Sequence, residues 1–139
     1  IAWGAVGAAQ AVFDECLQYS LSRIQFNKPI ASFQLVQNKL TWMASEITKA
    51  QFLVYRLAQL KGANTMRPQH VSMAKRNNVQ FALEIARVGR DILGANGISN
   101  EYHTFRHMNN LESVFTYEGT HDIHTLIIGE DLTGIAAYV

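Results

Sequence analysis

An all-α fold, an antiparallel bundle of four-helix type, follows from three features of the sequence. Apolar residues recur at three- and four-residue steps over long stretches, no strand-like alternation persists, and turn residues stand where those stretches end. The 139 residues fit one domain, a size at which a single apolar core is thermodynamically comfortable. With 48% hydrophobic and 17% charged residues, the composition is globular rather than disordered. The 12 basic residues nearly balance the 11 acidic ones, so no electrostatic footprint points to nucleic acid or an anionic membrane. No apolar run reaches the length of a membrane span, and Cys16, the single cysteine, has no internal disulfide partner.

The first helix is expected from about Ala2 to Gln25, with Val6, Ala9, Phe13, Cys16, Ser20 and Ile24 along one face. It opens with neither a capping side chain nor a Met before it, which predicts a piece of a longer polypeptide. Asn27-Lys28-Pro29 is turn chemistry. The second helix carries Val36, Leu40, Met43, Ile47, Ala50, Val54 and Leu57 at steps of four and three, and stops near Lys61-Gly62. Pro68 suits the first turn of a third helix, whose seam reads Val71, Ala74, Asn78, Phe81, Ile85, Val88 and Ile92. Asn78, polar within that seam, fits a register-fixing role between helices. A short fourth helix is expected from Tyr102 to about Leu111. A fifth follows Tyr117-Glu118-Gly119, with Ile123, Leu126 and Ile127 on its apolar face and Gly134 at its end.

Three segments depart from ordinary bundle sequence. Arg23 to Gln34 crosses the first turn, where an Arg either compensates a helix C-terminus or pairs with phosphate through its planar fork. In Asp91-Ile92-Leu93-Gly94-Ala95-Asn96-Gly97, the glycines either stop a helix or let backbone approach a ligand. The loop follows a helix rather than a strand, so it is not a dinucleotide fingerprint. Glu118 stands just before the last helix, with Thr120 placed to cap it and Asp122 to complement its dipole. It reads either as a surface carboxylate at a helix start or as a base beside the space Gly119 leaves. His103 and His107 are one turn apart, and His121 and His124 follow closely. Yet a di-iron bundle needs two Glu-x-x-His copies, and only Glu118 to His121 has that spacing, so no metal site is expected. His70, apart from these near a helix start, is expected to be exposed.

Taken in order, these segments resemble the C-terminal helical domain of the acyl-CoA dehydrogenases. Arg23-x-x-Phe26, with Ile30, Phe33 and Gln34, resembles the family's flavin-contacting turn. Ile92 to Gly97 is similar to its Gly-Gly-x-Gly loop, and Tyr117-Glu118-Gly119-Thr120 to its catalytic tetrapeptide. His121 to His124, Lys75-Arg76-Asn77-Asn78 and Gly97 to His103 are most similar to the glutaryl-CoA dehydrogenase branch. The resemblance covers essentially all of residues 1–139 as one C-terminal domain, with an N-terminal helical and a middle β domain lying outside this sequence.

The resemblance implies an FAD-dependent oxidoreductase acting on CH–CH groups, in which Glu118 removes the α-proton of an acyl-CoA while a hydride leaves the β-carbon for the flavin. An apolar thioester over the carboxylate desolvates it and strengthens it as a base. In a glutaryl-type enzyme of amino-acid catabolism, the glutaconyl product then loses CO₂ to give crotonyl-CoA. By the same resemblance, Arg23, Phe26 and Gln34 reach FAD held by a neighbouring subunit, implying a homotetramer built as a dimer of dimers. Asp91, Ile92, Leu93, Gly94 and Ala95 line the cofactor, and Thr120, His121 and Asp122 contact it beside the base. Gly119 and Tyr138 belong to the thioester and CoA contacts.

Ala95 departs from the family's usual Gly, and Asp91 stands where many relatives have Gln. Electron-transfer flavoprotein is the implied acceptor. The implied compartment is a bacterial cytoplasm or a mitochondrial matrix, and the fragment by itself is expected to neither retain FAD nor turn over. Competing readings are an acyl-CoA oxidase, which passes electrons to oxygen, and a catalytically silent helical oligomerisation domain.

Overall fold

The structure, a computed structural model, describes residues 1–138. Helix α1 spans Ala2–Ser22, α2 Gln34–Gly62, α3 Pro68–Leu93, α4 Thr104–Thr116 and α5 His121–Thr133. All the other helices pack on α3. Helices α4 and α5 follow one another along it, both antiparallel to it. Arg87 pairs with Glu112, Lys75 meets Tyr117, Arg76 donates to Thr125 and Gln69 to Asp131, so α3 numbers fall as theirs rise. The two are therefore one fourth helix broken at Tyr117–Thr120, and the expected bundle of four-helix type is what forms.

Three boundaries differ from expectation. Helix α1 ends at Ser22 rather than Gln25, because Ile24–Gln25 (β1) pairs antiparallel with Lys28–Pro29 (β2). Phe26 and Asn27 make the hairpin turn with φ of 53° and 63°, left-handed geometry that suits a two-residue connection and that Asn tolerates. Alternation could not reveal strands two residues long. The turn leaves Ile24 outside the helix and exposed. Helix α4 runs from Thr104 to Thr116 rather than from Tyr102 to Leu111.

The α2 seam is buried as spaced, from Leu40 through Met43, Ile47, Ala50 and Val54, with Val36 and Leu57 half-buried. On α3 burial spreads well beyond one seam. Ser72, Lys75, Val79, Ala82, Leu83, Ala86 and Gly89 join Ala74, Asn78, Ile85 and Ile92, because partners enclose this helix on several sides. Val71, at its open start, is exposed. Asn78 donates to the Ala50 carbonyl at 3.2 Å and towards that of Ala2 at 3.5 Å, so this buried amide ties α3 to α2 and α1. Cys16 is wholly buried, and burial together with the charge of Glu15 pushes its thiol up to about 12, which makes it inert packing. His70 is half-buried rather than exposed, because its Nδ1 accepts the Arg67 amide at 3.1 Å where α3 begins.

Helix α4 lacks a local side-chain cap and receives one from α1 instead. The Glu15 carboxylate accepts the His103 and Thr104 amides at 2.9 and 2.8 Å and the Thr104 hydroxyl at 2.6 Å. Burial raises its pKa, but the Thr104 hydroxyl and the two amides outweigh that, leaving it below the ordinary value of 4.5. A lowered carboxylate stabilises the fold above its ordinary value, and that contribution is lost as pH falls through the folded value. Glu15→Gln is expected to cost about 1 kcal/mol near neutral pH, the usual size of a lost helix cap. In thermal melts, the gap between wild type and variant narrows as pH falls below 4.5.

Candidate active site

The break in the fourth helix presents Glu118. Tyr117 closes α4, Glu118 and Gly119 have φ of 50° and 91°, and Thr120 caps α5 by accepting the Ile123 amide at 3.2 Å, as its position predicts. Asp122 lies in the first turn of α5, beside the positive end of its dipole. Two consecutive left-handed residues turn the chain outward and bring the Glu118 side chain to the surface. It is exposed, and its carboxylate makes no hydrogen bond or ion pair among the described residues.

Side chains of two helices support this turn from below. Lys75 of α3, itself buried, donates to the Tyr117 carbonyl and, at 2.5 Å, to the Gly119 carbonyl. His124 of α5 is buried, with Nδ1 3.1 Å from the Ser72 hydroxyl. A Cβ on Gly119 would stand 2.8 Å from His124 Nε2, so the glycine lets the backbone rest on the imidazole edge. Burial, then the Lys75 charge, hold His124 below the ordinary histidine range. Burial, then the Arg76 charge, do the same for His121, whose ring stacks on Phe115 at 4.5 Å.

The small cavity here, about 10 Å³ between Lys75, Phe115, His121 and His124, lies behind the turn rather than before the carboxylate. Within this chain Glu118 therefore faces open solvent. No motif in the sequence gives Lys75 or Ser72 a site role. The available signal was Lys75 continuing the stripe of Val79, Ala82 and Ala86, where a charge interrupts an otherwise apolar face.

Residues of the flavin-type turn and the glycine loop gather at the opposite end of α3. A cavity of about 310 Å³ is lined by Arg23, Gln25 and Ile30 on one side and by Ile92, Leu93, Gly94 and Ala95 on the other. The Arg23 guanidinium has no hydrogen-bond or ion-pair partner among the described residues. Gly94, at φ 61°, has nothing within 4 Å of a notional Cβ, and Ala95 is exposed, so the loop backbone is accessible. Asn96 donates to the Tyr19 hydroxyl at 3.0 Å and holds this loop against α1. Phe26, 84% exposed, and Gln34 line an adjoining hollow of about 760 Å³ with Phe33. The Asp91 side chain is committed elsewhere, to Lys39, which with Arg90 holds its carboxyl below the usual range.

The predicted site residues thus divide into two groups that one chain does not bring together. Lys75, beneath Glu118, and Ile92, beside Arg23, are 17 residues apart on one helix, which is about 25 Å. Tyr138 joins neither group: its hydroxyl donates to the carboxylate of Glu130, in the last turn of α5. Among the described residues no group of three or more His, Cys, Asp or Glu is placed to hold a metal ion. Among the described residues, no helix is long and apolar enough to cross a membrane.

A broken fourth helix displaying Tyr117-Glu118-Gly119-Thr120 defines a domain type, and a family model described as "Acyl-CoA dehydrogenase, C-terminal domain" matches residues 1–133. The chain belongs to the acyl-CoA dehydrogenase family. The solved structure of glutaryl-CoA dehydrogenase from Mycobacterium smegmatis is similar with a TM-score of 0.98 and 50% identity, over 100% of this chain and 36% of that one. A structure of a glutaryl-CoA dehydrogenase from the same organism, in complex with FADH2, gives 0.97 and 46% over 99% and 36%. Butyryl-CoA dehydrogenase from Megasphaera elsdenii gives 0.91 and 33% over 94% and 34%. The chain spans about a third of the length of the curated relatives it matches.

Proposed function

We propose that the chain is the base-carrying C-terminal domain of an FAD-dependent acyl-CoA dehydrogenase of the glutaryl-CoA type. The observation that carries this reading is the unpaired Glu118 carboxylate, displayed on a left-handed turn within an intact Tyr-Glu-Gly-Thr sequence. Glu118 takes the α-proton of the bound thioester onto a carboxylate oxygen. The turn beneath it fixes where that oxygen points, and Gly119 leaves room beside it. When bound, FAD supplies the acceptor for the hydride lost from the β-carbon, giving a 2-enoyl thioester.

The residues present fit that cofactor. Arg23 offers an unpaired guanidinium of the kind that binds phosphate, next to the exposed Gly94–Ala95 backbone and near an exposed aromatic, Phe26. Thr120, His121 and Asp122 would meet the cofactor beside the base, and Gly119 would meet the thioester. The separation of about 25 Å between the two ends supports a homo-oligomer, a tetramer in our reading, in which Arg23, Phe26, Gln34 and Asp91 to Ala95 serve a flavin held by a second copy. The wall facing Glu118 then comes from outside these residues. Tyr138 is assigned to CoA by resemblance alone. Electron-transfer flavoprotein is the proposed acceptor.

The greater identity to a glutaryl-CoA dehydrogenase, 50% against 33% for a butyryl-CoA dehydrogenase, favours a substrate with a terminal carboxylate. Loss of that carboxylate as CO₂ from the enoyl product, with a proton taken up at the carbon that held it, gives crotonyl-CoA. The test is turnover of glutaryl-CoA and butyryl-CoA by the full-length enzyme, followed by mass spectrometry and CO₂ release. Glutaryl-CoA is expected to have the higher kcat/KM and to yield equal crotonyl-CoA and CO₂. Preference for butyryl-CoA, or glutaconyl-CoA as the final product, would overturn the substrate assignment. Electron delivery to oxygen at a rate matching turnover would favour the oxidase alternative.

A further inference from the structure

We infer that Lys75 is a positioning residue for Glu118, its buried ammonium holding the break between α4 and α5 in the conformation that presents the carboxylate. The inference rests on Glu118 being the base. A helix end leaves its last carbonyls without partners, and here only four residues separate the end of one helix from the start of the next. Lys75 donates to the carbonyls of residues 117 and 119 together, so it grips the backbone on both sides of the residue between them.

Glu118 adopts a positive φ that a residue with a side chain rarely takes without support. The clamp, the His124 imidazole beneath Gly119 and the Thr120 cap over-determine that conformation from three directions. Lys75 is only 5% exposed, so its ammonium is itself shielded from bulk water. Burial draws its pKa below the ordinary lysine range, while the Glu118 charge acts in the opposite sense. The charge that fixes the turn therefore also lies within electrostatic reach of the carboxylate it positions.

A buried lysine that merely satisfies carbonyls would affect how much folded enzyme forms. One that sets the aim of a base would alter each turnover. Lys75→Met in the full-length enzyme, compared per bound flavin with wild type, separates these roles. Glutaryl-CoA is the probe, or butyryl-CoA where that is turned over faster. The expected result is a kcat about 10²-fold lower, the scale on which a misplacement of about 1 Å acts, with KM within about threefold. The primary deuterium isotope effect from α-deuterated substrate should rise, because proton removal becomes slower relative to the other steps.

Unchanged kcat per flavin with an unchanged isotope effect overturns the inference, even where yield of folded enzyme falls. Should the Met variant not load flavin, Lys75→Gln, which keeps a shorter donor, is read by the same two quantities. Glu118→Gln in parallel distinguishes the failures. If it turns over normally, the base assignment itself has failed. If it is inactive while Lys75→Met is normal per flavin, only the positioning role has.

Discussion

Full-length enzyme carrying Glu118→Gln is expected to turn over about 10²–10⁴-fold more slowly than wild type, the usual contribution of a positioned general base. The amide matches the carboxylate in shape but has no basic oxygen, and the substitution breaks no hydrogen bond or ion pair in this chain, since the carboxylate makes none among the described residues. Stability should therefore change by no more than about 0.5 kcal/mol, as for other surface substitutions. Flavin content and KM should also stay close to wild type, so that the loss falls in kcat and kcat/KM alike. Enoyl-thioester formation in single turnovers measures it directly. Unchanged dehydrogenation would leave the silent oligomerisation domain as the better reading, because the tetrapeptide would then have no chemical task.

Why the bundle could be read from residue pattern while the site could be read only in part follows from the range of the forces involved. Leu40, Met43, Ile47, Ala50 and Val54 are buried where their spacing puts them, because a seam is a local property of one helix packed along its length. The Thr120 cap is local too, and it forms. Glu15, by contrast, caps a helix 88 residues away from it in sequence, and Lys75 clamps carbonyls 42 and 44 residues on. Nothing in the neighbourhood of either residue announces its partner. The short hairpin at Ile24–Pro29 is illegible for the opposite reason, since its two strands are too brief to carry a pattern. As for the site, Tyr117 to Thr120 and Arg23 to Gln34 were legible as motifs, but their placement at opposite ends of α3 depends on tertiary packing. That separation is what makes a single copy incomplete in the proposed enzyme.

A second large effect is expected at Gly89, where α1, α3 and α4 meet. Glycine inside a helix normally costs about 0.5–1 kcal/mol relative to alanine, so Gly89→Ala on an isolated helix would stabilise. Here a Cβ would stand 2.6 Å from Val12 Cγ1 and 2.9 Å from Cys16 Sγ, with Thr104 Cγ2 at 3.4 Å. Val12 and Cys16 are both wholly buried, and a β-branched side chain in a helix has essentially one χ1 rotamer to occupy. Val12 therefore cannot swing aside, and α1 must move away from α3. Overpacking of this kind costs about 1–3 kcal/mol, which exceeds the propensity gain, and a leucine at this position should prevent folding.

The displacement would reach the candidate site, because Ile92 and Leu93, one turn further along α3, line the cavity that Arg23 closes from the end of α1. Thermal unfolding of the full-length protein at equal flavin occupancy should show Gly89→Ala melting below wild type. Val12→Ala alone should also destabilise, by leaving a void. Combining them removes the methyl group that the new Cβ meets, so the double variant should lose less than the two singles together, by about 1 kcal/mol. Cys16 Sγ stays within 2.9 Å of the new Cβ, which keeps the compensation short of complete. Strictly additive losses would mean that α1 and α3 yield independently at this contact, and the close approach at Gly89 would then not be what sets their spacing.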